Sequence, residues 1–352
     1  MTDFVRPLGS ESAVDPREVR LQEIRRKAAA AAPSPREVTE RPGAEILRAS
    51  ADVGYYGKPT LKTPAWTVEV PLYFFVGGAA GAAAIIANLA KLTGAEERLV
   101  RDAQGLAAIG GFISPALLIA DLGMPSRFLN MLRVFKVQSP MSVGSWTLVA
   151  FSTSAAASAF FCSVERRQPR FRSVKVLANA SAFVSAITGA VLSTYTGVLL
   201  GATAIPVWNQ NADILPVHFA LSGLATASSL LELRGNESPA LNTIGLATAF
   251  GETLVGGSIE RRKNPALKPL KSGSSGWLTR LGGLLSGPLP LVLRLLSLGT
   301  GEDASRKLRK VAAASSVAGS LVTRFAWTEA GKASAADPTV PLELPSRTAA
   351  ED

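Results

Sequence analysis

Eight stretches of mostly apolar residues, each near twenty long, constrain this chain more than any other feature. A helix rises about 1.5 Å per residue, so roughly 20 residues are needed to cross about 30 Å of hydrocarbon. The runs Val68–Leu92, Gln104–Leu122, Ser145–Val164, Leu177–Thr203, Leu215–Leu233 and Leu241–Ile259 approach or exceed that length. A seventh, Trp277–Leu298, is interrupted by Arg280, Pro288, Pro290 and Arg294, and reads as a weak span, a broken helix or an interfacial one. The eighth, Leu308–Trp327, begins basic and ends with Arg324 beside Phe325 and Trp327. Lipid offers backbone amides no partners, so such runs must close their own hydrogen bonds as helices. The expected fold is therefore an all-α integral membrane protein, a polytopic bundle of about eight transmembrane helices with the seventh least certain. The bundle is placed at 63–327, between a polar N-terminal extension (1–62) and a polar C-terminal tail (328–352).

Composition agrees with a membrane location. The 352 residues are 47% hydrophobic and only 18% charged, with a mean hydropathy of +0.23, too apolar for an ordinary soluble domain. The N-terminal extension carries Pro33, Pro35, Pro42 and Pro59 among mixed charges, and reads as disordered or partner-bound. No apolar core follows Arg25-Arg26-Lys27, which argues against a secretory or twin-arginine signal. The net charge of +10 sits mostly in the tails and between apolar runs, so lipid headgroups or a partner subunit are the expected counterparts rather than nucleic acid. Lys and Arg divide between both sets of loops and do not orient the chain.

Redox chemistry is bounded by two singletons, Cys162 and His218. One cysteine cannot hold an iron–sulfur cluster, one histidine cannot ligate a haem from both sides, and a structural zinc site needs four ligands. The expectation is a chain with no haem, iron–sulfur cluster or metal of its own. Any electron carrier is then a bound organic molecule or lies in another chain.

Ionisable groups inside apolar runs are expensive, about 2.5–3.5 kcal/mol at the bilayer centre on insertion scales, and usually face the bundle or water. Glu252 is the deepest, a protonated hydrogen-bond donor or a proton-relay site. His218, two residues after Pro216, reads first as a satisfied structural imidazole. Asp121 closes the second run, where an interfacial ion pair with Arg127 is the plain account, and Glu69 opens the first run near solvent. Tyr195, in the Gly- and Thr-rich stretch STYTGVLLGATAIPVW, packs or borders a flat ligand. The connection Ala120–Trp146 mixes Arg127, Arg133 and Lys136 with many large apolar side chains, so it should lie in the interface or fold over a cavity. Arg127, Arg133 and Trp146 are its candidates for interfacial or partner contact.

Three stretches together resemble one family: YYGKPTLKTPAWTVEVPLYFFVGGAAG (Tyr55–Gly81), DLGMPSRFLNMLRVFKVQSPMSVGSW (Asp121–Trp146) and YTGVLLGATAIPVW (Tyr195–Trp208). They are similar to the NrfD/polysulfide reductase membrane subunits, as is the closing RFAWTEAGKASAADP (Arg324–Pro338). The resemblance implies an eight-helix anchor without its own redox centre, in a prokaryotic cell membrane. It implies a ferredoxin-like iron–sulfur subunit and a molybdopterin catalytic subunit as partners, with quinone or quinol, menaquinone or ubiquinone, held by the anchor. By the same resemblance Tyr195 matches a fourth-helix tyrosine associated with the quinone site, and Asp121 matches the family's aspartate at the end of the second span. Both are the leading candidates for quinone binding or proton handling. Where polysulfide reductase's membrane subunit places an Asn and a His on the first helix, this chain has Val68 and Leu72, so those contacts do not carry over; Glu69 lies about 100° away on the helix.

The leading expectation is a quinone-reactive membrane subunit of a respiratory oxidoreductase of the formate dehydrogenase or polysulfide reductase kind, inactive alone. A proton channel or transporter using Asp121, Glu252 and His218 is the second. A membrane scaffold without a quinone site is the third.

Overall fold

The computed structural model describes residues 61–337 apart from Gly123, Pro125 and Arg127. Nearly all of the N-terminal extension, residues 338–352 of the tail, and the contact candidate Arg127 therefore lie outside the described residues.

Among the described residues, nine helices of ten or more residues build the fold: α1 (Glu69–Leu92), α2 (Glu97–Asp121), α3 (Pro140–Arg167), α4 (Arg172–Gly201), α5 (Leu215–Leu233), α6 (Pro239–Arg261), α7 (Gly273–Ser286), α8 (Pro288–Ser297) and α9 (Glu302–Ala336). No strand occurs among them. Their boundaries follow local chemistry. Pro140 and Pro239 open α3 and α6, where a missing amide proton costs nothing, and the Ser139 hydroxyl accepts from the Ser142 amide at 3.4 Å. Gly94 and Gly235, at φ +67° and +88°, take the left-handed conformation just beyond α1 and α5.

Two groups form, one of four helices and one of five. Helix α1 packs on α2 and α4, with α3 closing the ring between them; α5 packs on α6 and α9, with α7 and α8 closing the second ring. Contacts of α1 with α5 and α9, and of α4 with α5, join the two. Helix α1 is the most buried of the first four. Its apolar window is 78% buried, against 33% in each of α2, α3 and α4. Glycines permit this. A β-carbon on Gly81 or Gly189 would overlap the other's backbone, and one on Gly223 would come within 2.8 Å of the Gly78 carbonyl oxygen. Such close crossings are what hold helices together in lipid, where burial of apolar surface gives no gain. The outward faces carry Phe112, Phe160, Phe183, Ile187, Phe250 and Leu254, all exposed and suited to lipid.

Helices α1 to α4 are each long and apolar enough to cross a membrane. The seventh apolar run is broken rather than continuous: α7 and α8 have 14 and 10 residues, and meet at Gly287 just before Pro288. Proline cannot donate to the preceding turn and disfavours a helical residue before it. The last helix runs on past Trp327 to Ala336, so part of the segment read as a polar tail is helical.

The break is stabilised by a charge. Arg294 on α8 is fully buried and forks onto Glu232 of α5, with Nη2 to Oε2 at 2.6 Å and Nη1 to Oε1 at 2.9 Å. Nη1 also donates to the Asn242 amide oxygen at 3.0 Å. Removing one member of such a pair strands the other charge. Glu232→Leu should cost about 3–5 kcal/mol, read as a lower thermal midpoint in detergent. Adding Arg294→Met should recover most of it, and a double variant as weak as the single one would contradict this account.

Candidate functional site

The ends of α1, α2, α3 and α4 on one face of the protein enclose a cavity of about 120 Å³. It is reached by Trp66, Tyr73 and Phe74 from the start of α1, Asp121 from the end of α2, and Tyr195 from α4. Met131, in the single helical turn Phe128–Met131, closes over it with Met141 of α3. The connection between α2 and α3 thus folds over a cavity, and exposes Leu129, Val134, Phe135 and Val137 beside Arg133 and Lys136.

Two polar groups of this cavity are fixed. Asp121 Oδ1 accepts from the Thr67 hydroxyl at 2.6 Å and from its amide at 3.2 Å, tying the end of α2 to the residues that lead into α1. The Tyr195 hydroxyl donates to the Pro140 carbonyl at 2.6 Å across the first turn of α3. Its phenol lies over Gly144, where any β-carbon would overlap the ring. Glycine is therefore required at 144 by the close approach.

Glu252 and His218 belong to a different cavity of about 240 Å³ between α6, α7 and α9, which opens on the same face. His218 Nε2 lies 3.1 Å from Glu252 Oε2, which also accepts from Ser286 Oγ at 3.0 Å. One proton shared between imidazole and carboxylate satisfies that contact, so the histidine is partnered across helices rather than to its own backbone. At the mouth Arg280 pairs with Glu260 at 3.3 Å. Beyond it, in the connections flanking α5 and α6, a hydrogen bond from Arg262 at 2.9 Å holds the Asp213 carboxyl below its usual range.

Aromatic rings separate the two cavities. Trp66 stacks on Trp208 at 5.1 Å, and Phe74 lies 6.1 Å from Phe219, whose neighbour His218 is 6.1 Å from Trp327. Arg324 crosses this wall with its guanidinium carbon 3.7 Å from the centre of the Phe219 ring and Nη2 donating to the Phe219 carbonyl at 2.9 Å.

Of the residues singled out in the sequence, Asp121 and Tyr195 meet at the first cavity, and Glu252 and His218 at the second. Glu69 lines neither; it sits at the start of α1, one turn before Tyr73. Arg133 is exposed, and Trp146 packs edge-on against Phe135 at 6.2 Å rather than lining a cavity. Tyr73, Phe74, Trp327 and Arg324 were not picked out as site residues. Arg324 had a legible signal, a charge inside an apolar run; the aromatic residues had none beyond their type. No cluster of three or more metal-ligating side chains occurs among the described residues.

The NrfD family, described as polysulphide reductase, matches residues 60–235, half of the chain. The chain belongs to the NrfD family. Its members are membrane subunits of molybdoenzyme complexes, and the apolar helices agree with an integral membrane location. The matched segment holds α1 through α5 and the whole first cavity, but not Glu252. No curated protein matches the chain.

The fit between Gly144 and Tyr195 is open to test. Gly144→Ala should displace the phenol and cost about 1–3 kcal/mol, seen as a lower thermal midpoint. Combining it with Tyr195→Leu should restore part of the loss, because the overlapping ring is gone.

Proposed function

We propose that this NrfD-family chain is the quinone-reactive membrane subunit of a respiratory oxidoreductase, with the Asp121–Tyr195 cavity as its site. The observation that carries the reading is one apolar, aromatic cavity at the bundle end holding a carboxylate and a phenol. At about 120 Å³ it is smaller than the roughly 300–1,000 Å³ of pockets for whole drug-sized ligands. It suits a single ring whose tail remains outside. The donor set fits a quinone as well: Asp121 Oδ1 is held by Thr67, and among the described residues Oδ2 has no hydrogen bond and can act on a ligand. The Tyr195 proton points to Pro140, leaving the phenol oxygen to accept.

Quinone supplies a two-electron, two-proton couple when bound. This chain's residues supply position and protons. Trp66, Phe74 and Met131 exclude water from the ring. Asp121, half-buried and next to the aqueous face, takes or returns a proton at its free oxygen. Tyr195 holds its hydroxyl in register through Pro140 and Gly144. Electrons pass to or from a ferredoxin-like iron–sulfur subunit docked over the same face, and through it a molybdopterin subunit of the formate dehydrogenase or polysulfide reductase kind. The exposed apolar and basic residues of 129–137 suit such a partner. The alternating ends of the helices, with α7 and α8 counted as one broken crossing, support eight passages through a prokaryotic cell membrane.

Asp121→Asn and Tyr195→Phe, made in the assembled complex, test this directly. Quinol-dependent turnover should fall by roughly 10²-fold or more for the aspartate and less for the tyrosine, with co-purified iron unchanged. Unchanged turnover with intact assembly would leave a scaffold that binds no quinone here.

A further inference from the structure

The second cavity carries features that the proposed quinone site does not use. Its floor is made by His218, Glu252 and Thr323, which are 6%, 2% and 5% exposed. One edge of the histidine and one carboxylate oxygen face each other, but His218 Nδ1, Glu252 Oε1 and Thr323 Oγ1 are buried without a partner among the described residues. Buried polar atoms are nearly always bonded, so three in one cavity wall call for a hydrogen-bonding ligand. The walls above them are apolar, formed by Ile259, Leu284, Pro288, Ala326 and Trp327.

The flank of this cavity is built from glycine. Gly256 and Gly257 of α6 and Gly283 of α7 line it, and a β-carbon at any of them would meet nothing within 4 Å. Close helix packing therefore does not explain these glycines, unlike those at the α1 crossings. What they do is leave a gap between α6 and α7. Leu284 and Leu254 beside it are exposed on the lipid side.

We propose that this cavity is a second binding site, for the hydroxyl- or carbonyl-bearing ring of a neutral, hydroquinone-type molecule that enters from the lipid between α6 and α7. The ring lies in the apolar chamber, its polar groups meet His218 and Glu252, and its tail leaves past the three glycines. A charged head is disfavoured, because no cation within the chamber is left free to meet an anion and the mouth pair Arg280–Glu260 is neutral overall. A neutral head offering both donor and acceptor matches an imidazole–carboxylate pair that shares one proton. The volume of about 240 Å³ is twice that of the first cavity. The inference stands on this cavity alone and does not require the Asp121–Tyr195 site to bind quinone.

The test is a titration of the full chain in its complex with heptyl-hydroxyquinoline N-oxide, a fluorescent hydroquinone mimic whose emission is quenched on binding. Gly256→Leu with Gly283→Leu fills the chamber with side chains that meet no backbone, so folding is retained and is checked by thermal midpoint and co-purified iron. The filled variant should lose one equivalent of bound probe relative to the unmodified chain. Glu252→Gln, which keeps shape but removes the shared-proton pair, should weaken that equivalent about tenfold. Asp121→Asn with Tyr195→Phe should leave it intact. If the filled variant binds as many equivalents as the unmodified chain, with the same affinities, the site does not exist and the chamber belongs to lipid chains. Loss of the sole equivalent in the filled variant would instead support this site and count against the first.

Discussion

Everything in this structure depends on α1 being able to sit inside the bundle. In lipid, helices gain nothing by hiding apolar surface from one another, so their association rests on the closeness of backbone contact. Helix α1 meets that condition through Gly78 against Gly223 of α5 and Gly81 against Gly189 of α4. These crossings fix three helices from both groups to one axis. They keep α1 and α5 mostly buried, while in α2, α3 and α4 only a third of the apolar window is buried.

The small residues occupy only the middle and far part of α1. Toward its start the chain changes to Trp66, Tyr73 and Phe74. Bulky rings there cannot follow the close approach set at Gly78 and Gly81, so space opens at that end between α1, α2, α3 and α4. The opposite face is tied by polar pairs around a recess of about 200 Å³ lined by Lys91, Glu97, Gln104, Cys162, Glu165 and Arg166. Lys91 meets Glu165 at 2.9 Å, Asn236 meets Asp102 at 2.9 Å, and Arg294 meets Glu232. Both faces hold a recess, and they differ in lining: aromatic and apolar at the start of α1, charged and polar at its end.

This also explains what the sequence could tell. Helix positions were legible because length and hydropathy suffice: the fifth run, Leu215–Leu233, matches its helix at both ends, and the others fall within two turns except the eighth, whose helix runs nine residues further. The interruption of the seventh run was legible from Pro288, although whether the pieces stayed apart depended on Gly287 and on Arg294 finding Glu232, sixty-two residues away. Site residues were legible only as types. Asp121 and Tyr195 were marked by their local setting, but nothing in either segment says that Gly144 makes room for the phenol or that Thr67 holds the carboxylate. Glu69 was marked by its place at the first helix's start, and lies outside the cavity lining to which Val70 and Phe74 belong. Pairing of His218 with Glu252 required knowing that α5 and α6 lie side by side, which periodicity does not encode.

The wall between the cavities sets a limit on how they can communicate. Trp66, Trp208, Phe74, Phe219 and Trp327 fill the seam with rings, and the Trp208 indole donates to the Trp327 carbonyl at 2.8 Å, fixing that packing. Among the described residues no polar side chain bridges directly from Asp121 to Glu252; Arg324, at the seam, is turned onto Phe219 and its carbonyl. Among the described residues the two cavities are thus joined by packed rings rather than by a chain of hydrogen-bonded side chains.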